Sequence, residues 1–253
     1  MKQGTRLSWP LATFLLLSSY VVLCPQGAAA AAPACATQGI VFVVDGAGGF
    51  EAASRTFRET VIAEKMPLEV RVFHWTHGYC RVFADQMHAT HMTRSGRHLA
   101  DEVLRCHEAS PGQPIYLVGH SAGCGVILRA AANLPPDTLE RIVLLAPAVA
   151  TDHDLRPALA SACRGIDAFY SRRDWACLGV GVLLTGTTDR RWTMAAGKVG
   201  FRPIVNDPGD EMLYARLRQY PWDSSLSCVG HKGGHYGSYQ PAFLRAFVLP
   251  LLN

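Results

Sequence analysis

The chain predicts an α/β fold in which a mostly parallel central sheet carries helices on both faces. Three observations predict it. Short apolar, β-branched runs recur along the body, such as Gly39 to Asp45 (GIVFVVD) and Ile115 to Val118, and continuous apolar runs mark strands buried on both sides. Amphipathic or small-residue segments alternate with these runs and are stopped by Pro or Gly, which calls for crossover helices and a parallel sheet. The 253 residues are 49% hydrophobic and 17% charged, enough for one domain with a sizeable core.

The elements follow in order. The strand Gly39 to Asp45 runs into Gly46-Ala47-Gly48-Gly49, a loop that opens a helix over Phe50 to Lys65 with Phe57, Val61 and Ile62 as its apolar positions. Pro67 stops that helix and Leu68 to Trp75 resumes as a strand. Thr90 to His107 reads as a charged amphipathic helix, Pro114 precedes the strand Ile115 to Val118, and Ser121 to Asn133 is a small-residue helix ended by Pro135-Pro136. Strands at Arg141 to Leu145 and Gly165 to Tyr170 flank a helical segment around Leu155 to Ala162. Cys177 to Pro221 is rich in Gly, Thr and Arg and shows no clear period, and Ser238 to Leu251 closes the chain as a helix. With no internal repeat or long linker, residues 35–253 are expected to form a single domain.

Residues 1–34 carry a different signal. Lys2 and Arg6 precede an apolar stretch of 14 residues, Leu11 to Cys24, then Pro25 and an alanine-rich run with several A-x-A cleavage choices. That is a signal-peptide pattern, and the stretch falls short of the roughly 20 residues that span a bilayer. Export to a secreted, periplasmic or cell-envelope location is therefore expected. A leader retained as an anchor, or a lipidated Cys35 in Ala32-Pro33-Ala34-Cys35, is the alternative and would bring membrane association; the lipoprotein pattern is matched poorly because its first position is not Leu. Eight cysteines in an exported chain suggest disulfides. Loss of Cys24 with the leader leaves Cys35, Cys80, Cys106, Cys124, Cys163, Cys177 and Cys228, an odd set; Cys163 and Cys177 flank one strand and offer a local loop, while Cys124 suits packing as a small apolar group. No CxxC pair supports a structural zinc site. The charge, 24 basic against 20 acidic residues, with no basic run, excludes a nucleic-acid footprint.

One motif carries chemistry. Directly after the strand Ile115 to Val118 stands Gly119-His120-Ser121-Ala122-Gly123, a G-x-S-x-G sequence between a strand and a helix. Glycines on both sides permit a turn sharp enough to lift the Ser121 hydroxyl to the tip of the sheet, with a helix N-terminus behind it. On this motif and its context, the chain from Gly39 onward resembles the α/β-hydrolase fold family, serine esterases and lipases included.

The resemblance implies an acid and then a histidine downstream of the serine. Asp174 stands where the acid should be, in Tyr170-Ser171-Arg172-Arg173-Asp174 past the second strand after the nucleophile; Asp154, or Asp152, after the earlier strand is the rival acid, and Asp189 a more distant one. Two histidines follow, and His235, in Gly233-Gly234-His235 ahead of the last helix, is preferred over His231 as the base. The family's oxyanion hole implies the N–H of Ala122 and a second donor from the Asp45 to Phe50 loop, Ala47 or else Gly46. No nucleotide motif, metal site or cofactor is expected: His88, His91 and His98 match a ligand cluster only loosely, His77 is a pocket-lining candidate, and Trp175, Trp192 and Trp222 suit packing or a pocket wall. No long cap is inserted between the Arg141 and Gly165 strands, which predicts a fairly open site unless Cys177 to Pro221 covers it. The implied activity is cleavage of a carboxylic ester, small-molecule or lipid, through an acyl-enzyme. The alternative is a catalytically silent protein of the same fold that binds a lipid or a protein partner at the envelope.

Overall fold

A computed structural model of the protein describes residues 38–181 and 186–253. The expected leader, Cys24 and Cys35 lie outside the described residues. Six strands form one sheet, β1 (Gly39–Val44), β2 (Leu68–Val72), β3 (Ile115–His120), β4 (Arg141–Leu145), β5 (Ile166–Tyr170) and β6 (Leu217–Pro221), in the order β2-β1-β3-β4-β5-β6. Every neighbouring pair is parallel. The expected α/β fold with a parallel sheet is what the chain adopts.

Alternation along each strand divides the core into two layers. Ile40, Phe42 and Val44 of β1, Leu117 of β3 and Ile142 and Leu144 of β4 pack on one face with Met92, Leu99, Ile127 and Leu128. Val41, Val43, Val118, Val143 and Leu145 turn the other way onto Phe57, Val61, Phe243 and Val248. Both faces are thus covered, which is why these strands read as unbroken apolar runs rather than as alternating ones. The helices α1 (Ala52–Ala63), α4 (Gly123–Ala131) and α5 (Arg156–Ser161) fall within the expected segments, α3 (Ala89–Ala109) runs one residue before and two beyond its expected span, and β4 has the expected bounds.

Four elements were not legible. The short helix α2 (Val82–Met87) precedes α3. Helices at Ala196–Val199 and Pro208–Tyr214, and the strand β6 (LRQYP), lie in the stretch that showed no period. β6 is an edge strand, only partly buried, charged, and ended by Pro221, features that protect an edge and erase the apolar signature. It is fastened by Asp167 of β5, which has no exposure and accepts from Arg218, Arg141 and the Tyr220 hydroxyl. Burial opposes ionisation of that carboxyl, but these hydrogen bonds outweigh it and hold it below the usual carboxylate range. The expected closing helix is a succession of short turns, Pro241–Phe243, Leu244–Val248 and Leu249–Leu252.

The cysteines depart from expectation. Cys80, Cys106, Cys124, Cys163, Cys177 and Cys228 are free, and the loop suggested between Cys163 and Cys177 is not closed. They sit before and after the five residues of β5, a strand about 16 Å long at roughly 3.3 Å per residue, whereas a disulfide needs Cα atoms within about 7 Å. Cys124 packs as expected, fully buried with its thiol toward the Leu145 carbonyl. No helix among the described residues is long and apolar enough to cross a membrane.

Candidate active site

β3 ends at His120 and α4 starts at Gly123, so Ser121 and Ala122 make the whole connection. Ser121 has φ 53°, a left-handed conformation that costs a non-glycine residue on the order of 1–3 kcal/mol. Backbone hydrogen bonds hold it there: its N–H donates to Leu145 O at 2.9 Å and its carbonyl accepts from Ala148 N at 3.1 Å. The flanking positions are crowded, and Gly123 is required sterically. A Cβ on Gly119 would stand 2.7 Å from Ile127 Cδ1, and one on Gly123 would overlap the carbonyls of Val44 and Asp45. The turn that the motif predicts is therefore formed, tight against the end of β1.

Asp174 follows β5 and is buried, and His235 follows β6 and is buried with it. Their side chains meet, with His235 Nδ1 at 2.5 Å from Asp174 Oδ2, while Asp174 Oδ1 accepts from Leu178 N at 3.3 Å. An ionised carboxylate only accepts, so it fixes the proton of a neutral imidazole on Nδ1 and leaves the lone pair on Nε2. Two further bonds fix the histidine's backbone. The Ser171 hydroxyl donates to Gly233 O at 2.6 Å, and His120 Nε2 donates to His235 O at 3.1 Å. Burial keeps His120 neutral, its pKa lowered to about 3. His120 was passed over in the sequence as the variable position of the motif; a polar residue just before the serine, in an otherwise apolar strand, was the signal.

The loop after β1 is held as firmly. The Asp45 carboxylate accepts from Ala53 N at 2.9 Å and Ser54 N at 3.1 Å, satisfying donors in the first turn of α1. The Asp45 carbonyl accepts from the Trp75 indole at 2.8 Å. Asp85, fully buried on α2, accepts from Gly48 N at 2.7 Å, His77 N at 2.7 Å and His77 Nδ1 at 2.8 Å. A buried carboxylate needs such donors, and here they tie the glycine loop to α2. This residue was missed as well; the clue was one Asp within the apolar hexad VFADQM.

Ser121, His235, Gly46 and Ala47 line a common cleft of about 310 Å³, walled by Phe50, Val82, Phe83, Leu178, Tyr236 and Tyr239. It lies past the carboxyl ends of β1 and β3, where the chain order reverses from β2-β1 to β3-β4, the crevice in which open α/β sheets bind ligands. Ala122 is buried behind Ser121 at the start of α4. Part of the unreadable stretch does border the cleft, through Cys177 and Leu178, with Ala176 just before it.

The other candidates stand elsewhere. Asp154 is bound by Arg156 at 2.7–3.0 Å, which holds its carboxyl below the usual range. Asp152 pairs with Arg191 at 2.8 Å, and Asp189 accepts from Ala150 N and faces His153 Nδ1. His231 is buried, its Nδ1 accepting from Gly233 N at 3.2 Å and its ring set edge-on to Phe243. His77 does not line the cleft; its ring turns away to Asp85, with His88 Nδ1 3.1 Å from its Nε2. His91 is bonded to Trp75 O and His98 is exposed, so the three histidines His88, His91 and His98 form no ligand set. Trp222 carries the Arg173 guanidinium over its ring and Trp175 the Lys198 ammonium, while Trp192 is exposed.

The buried histidines set a pH dependence. Burial lowers His231 to about 4 and His120 to about 3, below the ~6.5 of an unfolded histidine. Between those values the unfolded chain binds protons that the folded one refuses, so stability is full above about pH 6.5 and is lost as pH falls toward 4. The expected result is a urea midpoint that drops steadily from pH 7 to pH 5, and a flat midpoint across that range would refute it.

The parallel sheet, the strand-to-helix serine turn and the crevice at the reversal point together define the α/β-hydrolase fold. Residues 72–192, just under half of the chain, match the family model described as serine aminopeptidase, S33. Over those residues the chain is similar to that family, and its fold is the expected α/β fold. Among solved structures, it resembles a protein of Xanthomonas campestris pv. campestris assigned to the alpha/beta hydrolase superfamily (17% identity, 85% of this chain and 98% of that one, TM-score 0.47). It also resembles an esterase of Pyrococcus furiosus (12% identity, 83% and 84%, TM-score 0.46) and the catalytic core of acetyl xylan esterase from Trichoderma reesei (12% identity, 83% and 98%, TM-score 0.43). No curated protein matches.

Proposed function

We propose that the protein is an exported serine hydrolase that cleaves carboxylic esters through an acyl-enzyme. The observation that carries this reading is the Asp174–His235 hydrogen bond at 2.5 Å, set on the same cleft as a serine held at positive φ. His235 Nε2 takes the proton of Ser121 as its Oγ attacks the acyl carbonyl, and Asp174 stabilises the imidazolium that forms. The N–H groups of Ala122 and Ala47 receive the negative charge on the tetrahedral oxygen. His235 then returns the proton to the leaving alcohol, and water, activated by the same histidine, releases the acid. The apolar cleft wall, with Phe50, Phe83 and Tyr236 exposed at its rim, favours an apolar acyl group of a small-molecule or lipid ester. Export rests on the leader pattern of residues 1–34.

The test is labelling with a fluorophosphonate, followed by hydrolysis of p-nitrophenyl esters of graded chain length. Labelling at Ser121 with turnover supports the reading. A folded protein that neither labels nor turns over returns the weight to the silent binding protein, and labelling without turnover moves the substrate away from carboxylic esters.

Asp85 makes a separate prediction. Asp85→Asn exchanges one acceptor oxygen for a donor and releases either Gly48 N–H or His77 from the glycine loop. A 1 Å misplacement of a catalytic donor costs about 10²-fold, so kcat falls by up to about that factor while KM changes little. Parallel kcat and KM measurements with an unfolding curve check this; equal kcat would remove Asp85 from any positioning role.

A further inference from the structure

Asp174, Cys177 and His235 bring a carboxylate oxygen, a thiol sulfur and an imidazole nitrogen to within 4.8 Å of one another. Asp174 and Cys177 leave β5 on one turn, His235 comes from the far side of β6, and Cys177 and His235 both face the cleft. Among the described residues the Cys177 thiol makes only a long contact, 3.9 Å to the Tyr236 hydroxyl, and the proposed reaction has no use for it. We propose that this trio is an inhibitory binding site for a borderline-soft divalent cation of the Zn²⁺ class.

The donor set suits such an ion. Zinc takes thiolate at about 2.3 Å, imidazole at about 2.0–2.1 Å and carboxylate at about 2.0–2.2 Å in a tetrahedron, whose edges are therefore roughly 3.3–3.6 Å. The Cys177 sulfur needs to close on the other two atoms by up to about an ångström, and the Asp174–His235 pair needs to open by somewhat less, both within reach of side-chain rotation. The fourth position faces the cleft and takes water. The proton balance is simple. Cys177 gives its thiol proton to solvent, and the imidazole stays neutral by moving its proton from Nδ1, which now holds the ion, to Nε2. That is the wrong tautomer for a base, because no lone pair remains toward Ser121. The ion therefore switches the nucleophile off without touching it. Binding stands independently of the proposed reaction; the inhibition rests on it.

The experiment is a Co²⁺ titration of the full chain under reducing, oxygen-free conditions, read by the thiolate-to-cobalt charge-transfer absorption. The expected result is a band that saturates at one ion per chain and is bleached by Zn²⁺. It vanishes in Cys177→Ser and persists in Cys80→Ser and Cys228→Ser. In His235→Ala, affinity falls by more than the roughly 10–100-fold that loss of an outer-shell partner costs. No band in the wild type, a band that survives Cys177→Ser, or indifference to His235→Ala overturns the site. Zn²⁺ should also slow fluorophosphonate labelling, by up to about 10⁴-fold, the cost of a wrong histidine tautomer, and a chelator should restore it. A band with unchanged labelling overturns the inhibition alone. A band in a protein that never labels keeps the metal site and sinks the hydrolase reading.

Discussion

Ser121→Ala is expected to abolish the proposed ester hydrolysis and fluorophosphonate labelling while the protein stays folded. Loss of the nucleophile from a serine–histidine pair lowers kcat by about 10⁶-fold, so turnover should fall to the rate of water attack assisted by the oxyanion donors alone. The fold should survive because Ser121 is held by its backbone, through Leu145 O and Ala148 N, and alanine keeps both bonds. Alanine pays the same left-handed strain as serine, so the change in stability should stay within about 1 kcal/mol. Hydrolysis of a p-nitrophenyl ester and a urea curve on the same preparation check both halves. Undiminished turnover would mean that Ser121 is not the nucleophile.

Asp174→Asn should cost nearly as much by a different route. Leu178 N–H donates to one carboxylate oxygen and His235 Nδ1 faces the other. The introduced amide keeps its oxygen on the Leu178 side and turns its NH₂ toward Nδ1. The imidazole then carries its proton on Nε2 and has no lone pair for Ser121. In a serine protease the equivalent change costs about 10⁴-fold in kcat with geometry intact, and a similar loss is expected here with little change in KM. A merely structural role for Asp174 would instead move the unfolding midpoint and leave kcat of the folded fraction unchanged.

How much of this was legible follows from what kind of force sets each feature. The strands β1, β3 and β4 are buried on both faces, so burial wrote itself into the sequence as apolar runs. The Ser121 turn was legible because the carbonyls of Val44 and Asp45 leave no room for a side chain at Gly123, and Gly119 is crowded by Ile127 and Cys124. Asp174 and His235 came from chain order in the resembled family, and they lie in hydrogen-bond contact. β6 was illegible because an edge strand is shaped by what it avoids, namely pairing with another chain. Asp85 and His120 were missed because their work is to hold backbone atoms distant in sequence, 37 and 115 residues away, and no local period encodes that. The suggested Cys163–Cys177 loop failed on distance along β5.

The edge strand has a consequence of its own. His235 reaches the cleft only after β6 has docked: Trp222 N–H donates to Tyr170 O at 2.7 Å just beyond the strand, and Ser171 grips Gly233 beyond that. Ser121 rests on the middle of the sheet, whereas its proposed base hangs from the rim. On this reading the proposed base is the last stitch in the fabric, and activity would report that the whole garment is closed. In refolding from urea, esterase activity should return after the sheet's circular-dichroism signal, and simultaneous recovery would show that the rim forms together with the centre.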